Sequence, residues 1–195
     1  MNKNIEHYVF HKENFLDEKS CDNYIDKLNA GVWKKHEWYS YRTDSINFQS
    51  EDKEPEVIEG DGFRGTDIKK INDNLIQALY SAILDYIETF KFDWFAGWER
   101  YSPIRFNRYF PGQTMKNHCD HVHSLFDGER KGIPILSIIG ILNDDYEGGE
   151  LIMFEDKKID TKKGDLLIFP SNFLYPHKIA PVTEGVRYSY VSWVW

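Results

Sequence analysis

The sequence has little of what builds disulfide-rich or membrane-spanning proteins. Only two cysteines occur, Cys21 and Cys119, so a disulfide framework is not indicated. No uninterrupted apolar stretch of membrane-spanning length is present, and the first residues contain no apolar run of signal-peptide length. These absences favour a cytoplasmic protein with reduced thiols. Frequent Lys, Asn, Ile and Asp favour an AT-rich bacterial gene, or a phage gene expressed in the host cytoplasm.

Positive charge is also in short supply. The chain has 24 Lys and Arg against 32 Asp and Glu, a formal net charge of −8, which disfavours a general affinity for phosphate backbones. We therefore do not expect a nucleic-acid partner, although the charge leaves a local basic patch open, and the lack of a membrane-spanning stretch predicts no membrane association. Aromatic residues, in contrast, make up 16% of the chain and suit a β-rich core. A length of 195 residues fits one domain, 1–195, and is too short for two ordinary domains.

Two segments in the first half of the chain have helical periodicity. Residues 14–30 are predicted to form a helix with Asp17 or Asn14 as its N-cap. A longer helix, capped by Thr66 or Asp67 and running to about Phe90, is predicted because apolar residues recur there with a 3.6-residue period and could cover one face of a sheet. Residues 1–99 are thus predicted to be a mostly helical support region, and nothing in the apolar stripe of the second helix suggests a cofactor.

After residue 100 the pattern changes to short β-rich runs separated by turns. The predicted strands are Ile104 to Phe110, Thr114 to Val122, Ile135 to Leu142, Leu151 to Phe154, Leu166 to Phe169 and Val186 to Trp193. Turn-forming glycines stand between them. This pattern favours a mainly β protein with flanking helices (α+β), in which residues 100–195 form a cupin-like double-stranded β-helix, or jelly roll, as the core of the protein.

Three residues are candidate metal ligands. His118 and Asp120 are two positions apart in one predicted strand, so both side chains can lie on the same face while Cys119 points away. A second histidine, His177, occurs far downstream. Two imidazoles and one carboxylate are the ligand set of a non-haem Fe(II) centre that activates oxygen. The sequence therefore predicts an iron site, and with it the catalytic centre, at His118, Asp120 and His177.

Arg187 follows His177 by ten residues, and Ser189 is the next residue on the same strand face. An arginine that points inward needs a buried anionic partner, and together the two side chains can bind a carboxylate. Metal ligands beside a carboxylate receptor indicate a metal-chelating dicarboxylate cosubstrate. 2-Oxoglutarate fits this description.

The motifs also occur in a characteristic order. His118-Cys119-Asp120 is followed by the hairpin segment Leu142 to Leu151, by Phe169-Pro170 to Pro176-His177, and by Pro181 to Ser189. In this order the sequence resembles the 2-oxoglutarate/Fe(II) dioxygenases of the prolyl 4-hydroxylase-like branch. The resemblance is close over residues 100–195 and holds only in outline before them.

The resemblance implies an enzyme that hydroxylates an unactivated C–H bond with Fe(II), 2-oxoglutarate and O2, and that releases succinate and CO2. Ascorbate is left open as a further cofactor. By resemblance, Tyr109 directs its hydroxyl to the cosubstrate, although ordinary packing explains this residue about equally well. Trp193 matches a tryptophan beside the substrate ring, and core packing is again the alternative.

One position departs from the family. Prolyl hydroxylases tend to have an arginine, directed at the substrate backbone, where this sequence has Pro134. Arg130 and Lys131 lie just upstream and are candidate substrate-binding residues in its place. The departure leaves the proline target open. His121 and His123 in turn leave open a shifted or secondary metal site.

The leading hypothesis is hydroxylation of a prolyl residue in a peptide or protein, because a barrel with few insertions favours an open groove. The first alternative is a free amino acid or another small metabolite as the substrate. The second is a jelly-roll module that binds a metal or ligand without turnover. A pure binding module would not need both the three ligands and Arg187. The oligomeric state is open.

Overall fold

The structure is a computed structural model that describes residues 4–40, 45–47, 52–59, 67–92, 97–98, 101–120 and 134–195. Four residues singled out in the sequence, Arg130, Lys131, His121 and His123, lie outside these ranges.

Two α-helices and fifteen strands form within the described ranges. The helices are α1, Glu18–Asn29, and α2, Asp67–Phe90. The strands are β1 Phe10–Lys12, β2 Lys34–Lys35, β3 Trp38–Ser40, β4 Ser45–Asn47, β5 Glu56–Ile58, β6 Arg105–Tyr109, β7 Met115–His118, β8 Leu136–Ile141, β9 Glu147–Gly148, β10 Leu151–Met153, β11 Lys157–Ile159, β12 Leu166–Pro170, β13 His177–Ile179, β14 Val182–Glu184 and β15 Arg187–Val194. A short 3-10 helix, Ile5–Tyr8, precedes them.

The predicted helices form, and α1 is shorter than its sequence pattern suggested. Asp17 is the N-cap of α1, since its carboxylate accepts a hydrogen bond of 2.7 Å from the backbone N–H of Ser20. Asn14 has a φ of 50°, in the left-handed region, and therefore cannot belong to the helix. The second helix begins at Asp67 and ends at Phe90, as its uninterrupted periodicity predicted.

Most strands belong to two antiparallel sheets. The large sheet has seven strands in the order β1-β12-β8-β15-β6-β5-β2, and the small sheet has the order β11-β10-β13-β7. The N-terminal half therefore supplies β1, β2 and β5 to the large sheet in addition to the two helices. The predicted strand Thr114 to Val122 proves shorter, because β7 ends at His118.

Each face of the large sheet belongs to a different apolar cluster. One cluster joins the outer face to both helices, and its members include Leu28 of α1, Leu75 and Ile83 of α2, and Phe106 and Tyr190 of the sheet. The second cluster joins the inner face to the small sheet, with Ile139, Leu167 and Phe169 from the large sheet and Leu151 and Met153 from the small one. The protein is thus mainly β, with two packed sheets and helices outside the larger one. Among the described helices, none is long and apolar enough to cross a bilayer.

Candidate active site

The three predicted metal ligands come together at one end of the small sheet. His118, the last residue of β7, pairs directly with His177, the first residue of β13, and their ring centroids are 4.4 Å apart. Asp120 lies in a bend two residues after β7, and not in the strand as the sequence pattern suggested. Nevertheless, one ligand atom from each of the three residues lies within 4.8 Å of the others. Cys119 is not part of this group.

Backbone carbonyls orient both imidazoles. Nδ1 of His118 is 2.7 Å from the carbonyl oxygen of Lys116, and Nδ1 of His177 is 3.2 Å from that of Tyr175. A carbonyl can only accept, so each Nδ1 carries a hydrogen and the Nε2 of a neutral ring keeps its lone pair. These Nε2 atoms lie 3.4 Å and 3.9 Å from the Asp120 carboxylate oxygens. Two lone pairs and a carboxylate therefore converge, as a metal site requires.

Electrostatics keep Asp120 ionised. Burial alone would raise the pKa of this carboxyl group, but its interactions with His118 and His177 hold it well below its usual range. Ser137 strengthens the effect, because its hydroxyl donates to Asp120 Oδ2 at 2.5 Å. Burial lowers the pKa of His118, yet Asp120 outweighs burial and raises it overall. Burial lowers the pKa of His177 and so favours the neutral ring that binds metals.

A buried arginine lies on the same inner surface. Arg187, at the start of β15, is 1% exposed, and its Nη1 donates to the hydroxyl oxygen of Ser189 at 2.8 Å. Its Nε has no hydrogen-bond partner among the described residues, and none of the ion pairs between described residues includes Arg187. A buried guanidinium without a carboxylate is costly. The arrangement is therefore that of an anion receptor.

Tyr109 lies directly across from Arg187 in the pairing of β6 with β15. The guanidinium carbon is 5.3 Å from the centroid of the tyrosine ring. Burial raises the pKa of Tyr109 to about 12, so its hydroxyl stays protonated and can donate to an anion held by Arg187. Tyr109 therefore lies beside the receptor, and its contact with a cosubstrate stays a prediction.

The receptor and the metal-ligand group are connected through β15. Alternate residues of this strand, Arg187, Ser189, Val191 and Trp193, face inward. The Arg187 guanidinium leans towards Ser189, and hence towards the end of the strand where Trp193 pairs with Ser137. Since Ser137 contacts Asp120, the receptor and the metal-ligand group lie on the same inner surface.

Sequence reasoning missed the side chains that support this site. Ser137 orients Asp120 and is itself 2.8 Å from the hydroxyl of Ser171. Arg105 lies with its guanidinium carbon 5.0 Å from the centroid of the half-buried Trp193 ring. The two-residue period of β6 already puts Arg105 on the same face as Tyr109, and this was the signal available in the sequence.

Comparisons with known proteins find the class of enzyme that the sequence motifs resemble. Residues 104–195 match the sequence profile of the 2OG-Fe(II) oxygenase superfamily. A PKHD-type hydroxylase of Stenotrophomonas maltophilia is 38% identical over 100 residues, which are 49% of this chain and 44% of that protein. One from Delftia acidovorans is 35% identical over 99 residues, 47% and 42% of the two chains. This chain thus spans less than half the length of the curated relatives it matches.

Solved prolyl hydroxylases share the fold over nearly the whole chain. The viral collagen prolyl hydroxylase of Paramecium Bursaria Chlorella virus-1 matches with a TM-score of 0.63 and 16% identity, over 96% of this chain and 94% of that one. A Pseudomonas putida prolyl-4-hydroxylase matches with a TM-score of 0.64 and 18% identity, over 96% and 91%. A Trichoplax adhaerens prolyl hydroxylase, solved with a peptide fragment of the hypoxia inducible factor oxygen degradation domain, matches with a TM-score of 0.65 and 21% identity, over 96% and 83%.

The resemblance of residues 104–195 to the 2-oxoglutarate/Fe(II) dioxygenases is therefore confirmed, and the fold is that of solved prolyl hydroxylases. The family implies Fe(II), 2-oxoglutarate and O2 as cofactor and cosubstrates. The residues present fit these groups. His118, Asp120 and His177 offer two nitrogens and a carboxylate, and Arg187 offers a buried, unpaired Nε for a carboxylate.

Proposed function

We propose that this protein is an Fe(II)- and 2-oxoglutarate-dependent oxygenase. It hydroxylates an unactivated C–H bond of a prolyl residue in a peptide or protein and releases succinate and CO2. The observation that carries the proposal is the convergence of His118, Asp120 and His177 on the inner surface that also holds the buried pair of Arg187 and Ser189. One group suits a divalent metal, and the other suits a dicarboxylate.

Each side chain has a defined task in this proposal. His118, Asp120 and His177 would hold Fe(II) and leave its remaining positions for other ligands. When bound, the iron supplies, with 2-oxoglutarate and O2, the oxidising power for hydroxylation. Arg187 binds the distal carboxylate of 2-oxoglutarate. The Ser189 oxygen accepts from Arg187, so its own hydrogen remains for that carboxylate.

Two observations support a prolyl residue in a peptide as the substrate. The two relatives compared above are named PKHD-type hydroxylases, and the three solved structures compared above are of prolyl hydroxylases, one of them bound to a peptide. In this chain the half-buried ring of Trp193, across from Ser137, offers an apolar wall beside the metal-ligand group.

We further infer that residues 1–195 form one catalytic domain whose two sheets make a double-stranded β-helix. Strands from both halves of the chain join the large sheet, and the inner apolar cluster draws on both sheets. Such continuity supports a single folding unit.

An anaerobic titration tests the proposed function. Addition of Fe(II) and then 2-oxoglutarate should produce a metal-to-ligand charge-transfer absorption in the visible range. Admission of O2 should remove this absorption and yield succinate in an amount equal to the 2-oxoglutarate consumed. If the absorption persists in O2 and no succinate forms, the protein is the non-catalytic binding module.

A further inference from the structure

Arg105 and Trp193 form a pair at the end of the inner surface opposite to the carboxylate receptor. The guanidinium carbon of Arg105 is 5.0 Å from the centroid of the Trp193 ring, a cation–π contact. Across the sheet, Trp193 pairs with Ser137, whose hydroxyl donates to Asp120. Arg105 and Asp120 therefore contact two residues, Trp193 and Ser137, that lie directly opposite one another on neighbouring strands, so Arg105 is on the same part of the inner surface as a candidate metal ligand.

Neighbouring side chains fix the Arg105 guanidinium. Its Nε donates to Glu59 Oε2 at 2.5 Å, and its Nη1 is 3.4 Å from Nε2 of His36. Burial, and then the charge of Arg105, lower the pKa of His36 to about 3, so this ring is neutral and its Nε2 can accept. With three partners the side chain is preorganised, and little conformational entropy is lost when it binds a ligand.

The Arg105 guanidinium also has a hydrogen-bond donor that is not used within the described part of the chain. Nη2 of Arg105 makes no hydrogen bond to any residue that the structure describes. The side chain is 22% exposed, so a molecule that enters from solvent can reach it. Arg105 therefore combines a fixed position with at least one accessible donor.

We propose that Arg105 is a specificity-determining residue that donates a hydrogen bond to a backbone carbonyl of the peptide substrate, next to the residue whose ring lies against Trp193. This inference rests on the proposed function and names the substrate group that the site recognises. Arg105 contributes to substrate binding, whereas Arg187 contributes to cosubstrate binding.

The surroundings of Arg187 and Arg105 differ, and they indicate that the substrate group bound by Arg105 is an uncharged hydrogen-bond acceptor. Arg187 is fully buried without a carboxylate partner among the described residues and so suits an anion. Arg105 already has the Glu59 carboxylate at 2.5 Å, so a second carboxylate would be repelled, whereas an uncharged carbonyl would not. Lys34 also contacts Glu59, at 3.3 Å, but its 61% exposed side chain is screened by solvent and changes this balance little.

The test compares Arg105→Met and Arg105→Lys with the matched control Arg108→Met. Arg108 is on the same strand, pairs with Glu56 at 2.7 Å, lies 4.4 Å from the Trp33 ring and is 20% exposed, but it points to the opposite face of the sheet. The probes are N-acetylated, C-amidated pentapeptides with a central proline, and free L-proline. Hydroxylated product is measured by mass, and succinate formation without any prime substrate is measured in parallel.

Arg105→Met should raise the KM of the blocked peptides by roughly tenfold or more, because a charge-assisted hydrogen bond is lost, while kcat changes less. Arg105→Lys should recover part of the loss, and Arg108→Met should keep the wild-type KM. An unchanged peptide KM in Arg105→Met would overturn the inference. So would a wild-type protein that hydroxylates free proline but no blocked peptide, or neither probe. A wild-type protein that forms no succinate from 2-oxoglutarate would instead overturn the proposed function itself.

Discussion

His118 and His177 lie opposite one another on neighbouring antiparallel strands, with ring centroids 4.4 Å apart. The pairing of β7 with β13 therefore builds the metal-ligand group from segments that are far apart in the sequence. A metal bound to both histidines would link these strands, and a ligand that binds only the native state stabilises it. Correct pairing of the small sheet and occupancy of the metal site should thus support each other.

Loss of any one ligand should abolish the activity. We expect His118→Ala or His177→Ala to remove both 2-oxoglutarate turnover and the charge-transfer absorption, and Asp120→Ala to do nearly the same, because a facial three-residue set is needed to hold the metal. Cys119→Ser is the matched control, since Cys119 lies between two ligands and is outside the group. Turnover above a few per cent in either histidine variant would point to His121 or His123 as the true ligand.

Removal of the Arg187 side chain should weaken the binding of the cosubstrate without releasing the metal. Arg187→Ala leaves a buried carboxylate without its charged partner, which typically costs about 3–5 kcal/mol, or a roughly hundredfold or greater rise in the 2-oxoglutarate Kd. Fe(II) binding should survive. An anaerobic titration followed by the charge-transfer absorption measures both constants. Normal 2-oxoglutarate binding combined with loss of iron would make Arg187 a structural residue.

The Asp165 side chain should stabilise the packing of the N-terminal segment against the large sheet. The Asp165 carboxylate accepts from the His11 ring and from the backbone N–H groups of Asn14 and Lys162, and the residue is 3% exposed. Asp165→Ala should lower the free energy of unfolding by about 2–3 kcal/mol at neutral pH, measured with urea. The exposed Asp160→Ala should change it by less than about 0.5 kcal/mol.

The same carboxylate predicts a pH dependence. Burial tends to raise the pKa of Asp165, but the hydrogen bonds from Lys162, His11 and Asn14 outweigh it, and the folded-state pKa lies below the usual 3.8. A group with a lowered folded-state pKa stabilises fully above its unfolded-state pKa, and this stabilisation is lost as the pH falls through the folded-state value. The difference in the free energy of unfolding between the wild type and Asp165→Ala should therefore be constant above about pH 5 and should become smaller below pH 3.8. A difference that widens in acid would contradict this assignment.

The parts of the fold that could be predicted are those with a strong local signal. α2 keeps one apolar stripe over its whole length, so the helix and its end at about Phe90 followed from the sequence. The edge strands β1 and β2 have three and two residues, too few for a period to appear. Their pairing with distant strands depends on tertiary contacts that no short pattern encodes.

The candidate site shows the same division. The motif order grouped His118, Asp120 and His177 correctly, but alternation placed Asp120 in a strand, whereas the strand ends at His118 and a bend brings the carboxylate back. The contact between Arg105 and Trp193 depends on the register of β6 against β15. A shift of one residue would turn Arg105 outward, and register is fixed only by the completed sheet.

The effects of Trp193 and Arg105 on the hydroxylation of a peptide should be coupled. Trp193→Leu should lower peptide hydroxylation, because the apolar wall and the support of the guanidinium are both lost, and succinate formation without peptide should remain measurable. In a double-mutant cycle, Trp193→Leu and Arg105→Met should be coupled by about 0.5–1 kcal/mol in peptide kcat/KM, as expected for a cation–π contact near the surface. Trp193→Leu and Arg108→Met should be additive, since Arg108 lies on the other face. Replacement of Arg130 and Lys131 together tests the alternative that these two residues bind the substrate backbone, and the measured quantity is again peptide binding. If that variant loses peptide binding while Arg105→Met leaves the peptide KM unchanged, the donors to the substrate backbone lie upstream of Pro134, and Arg105 is not one of them.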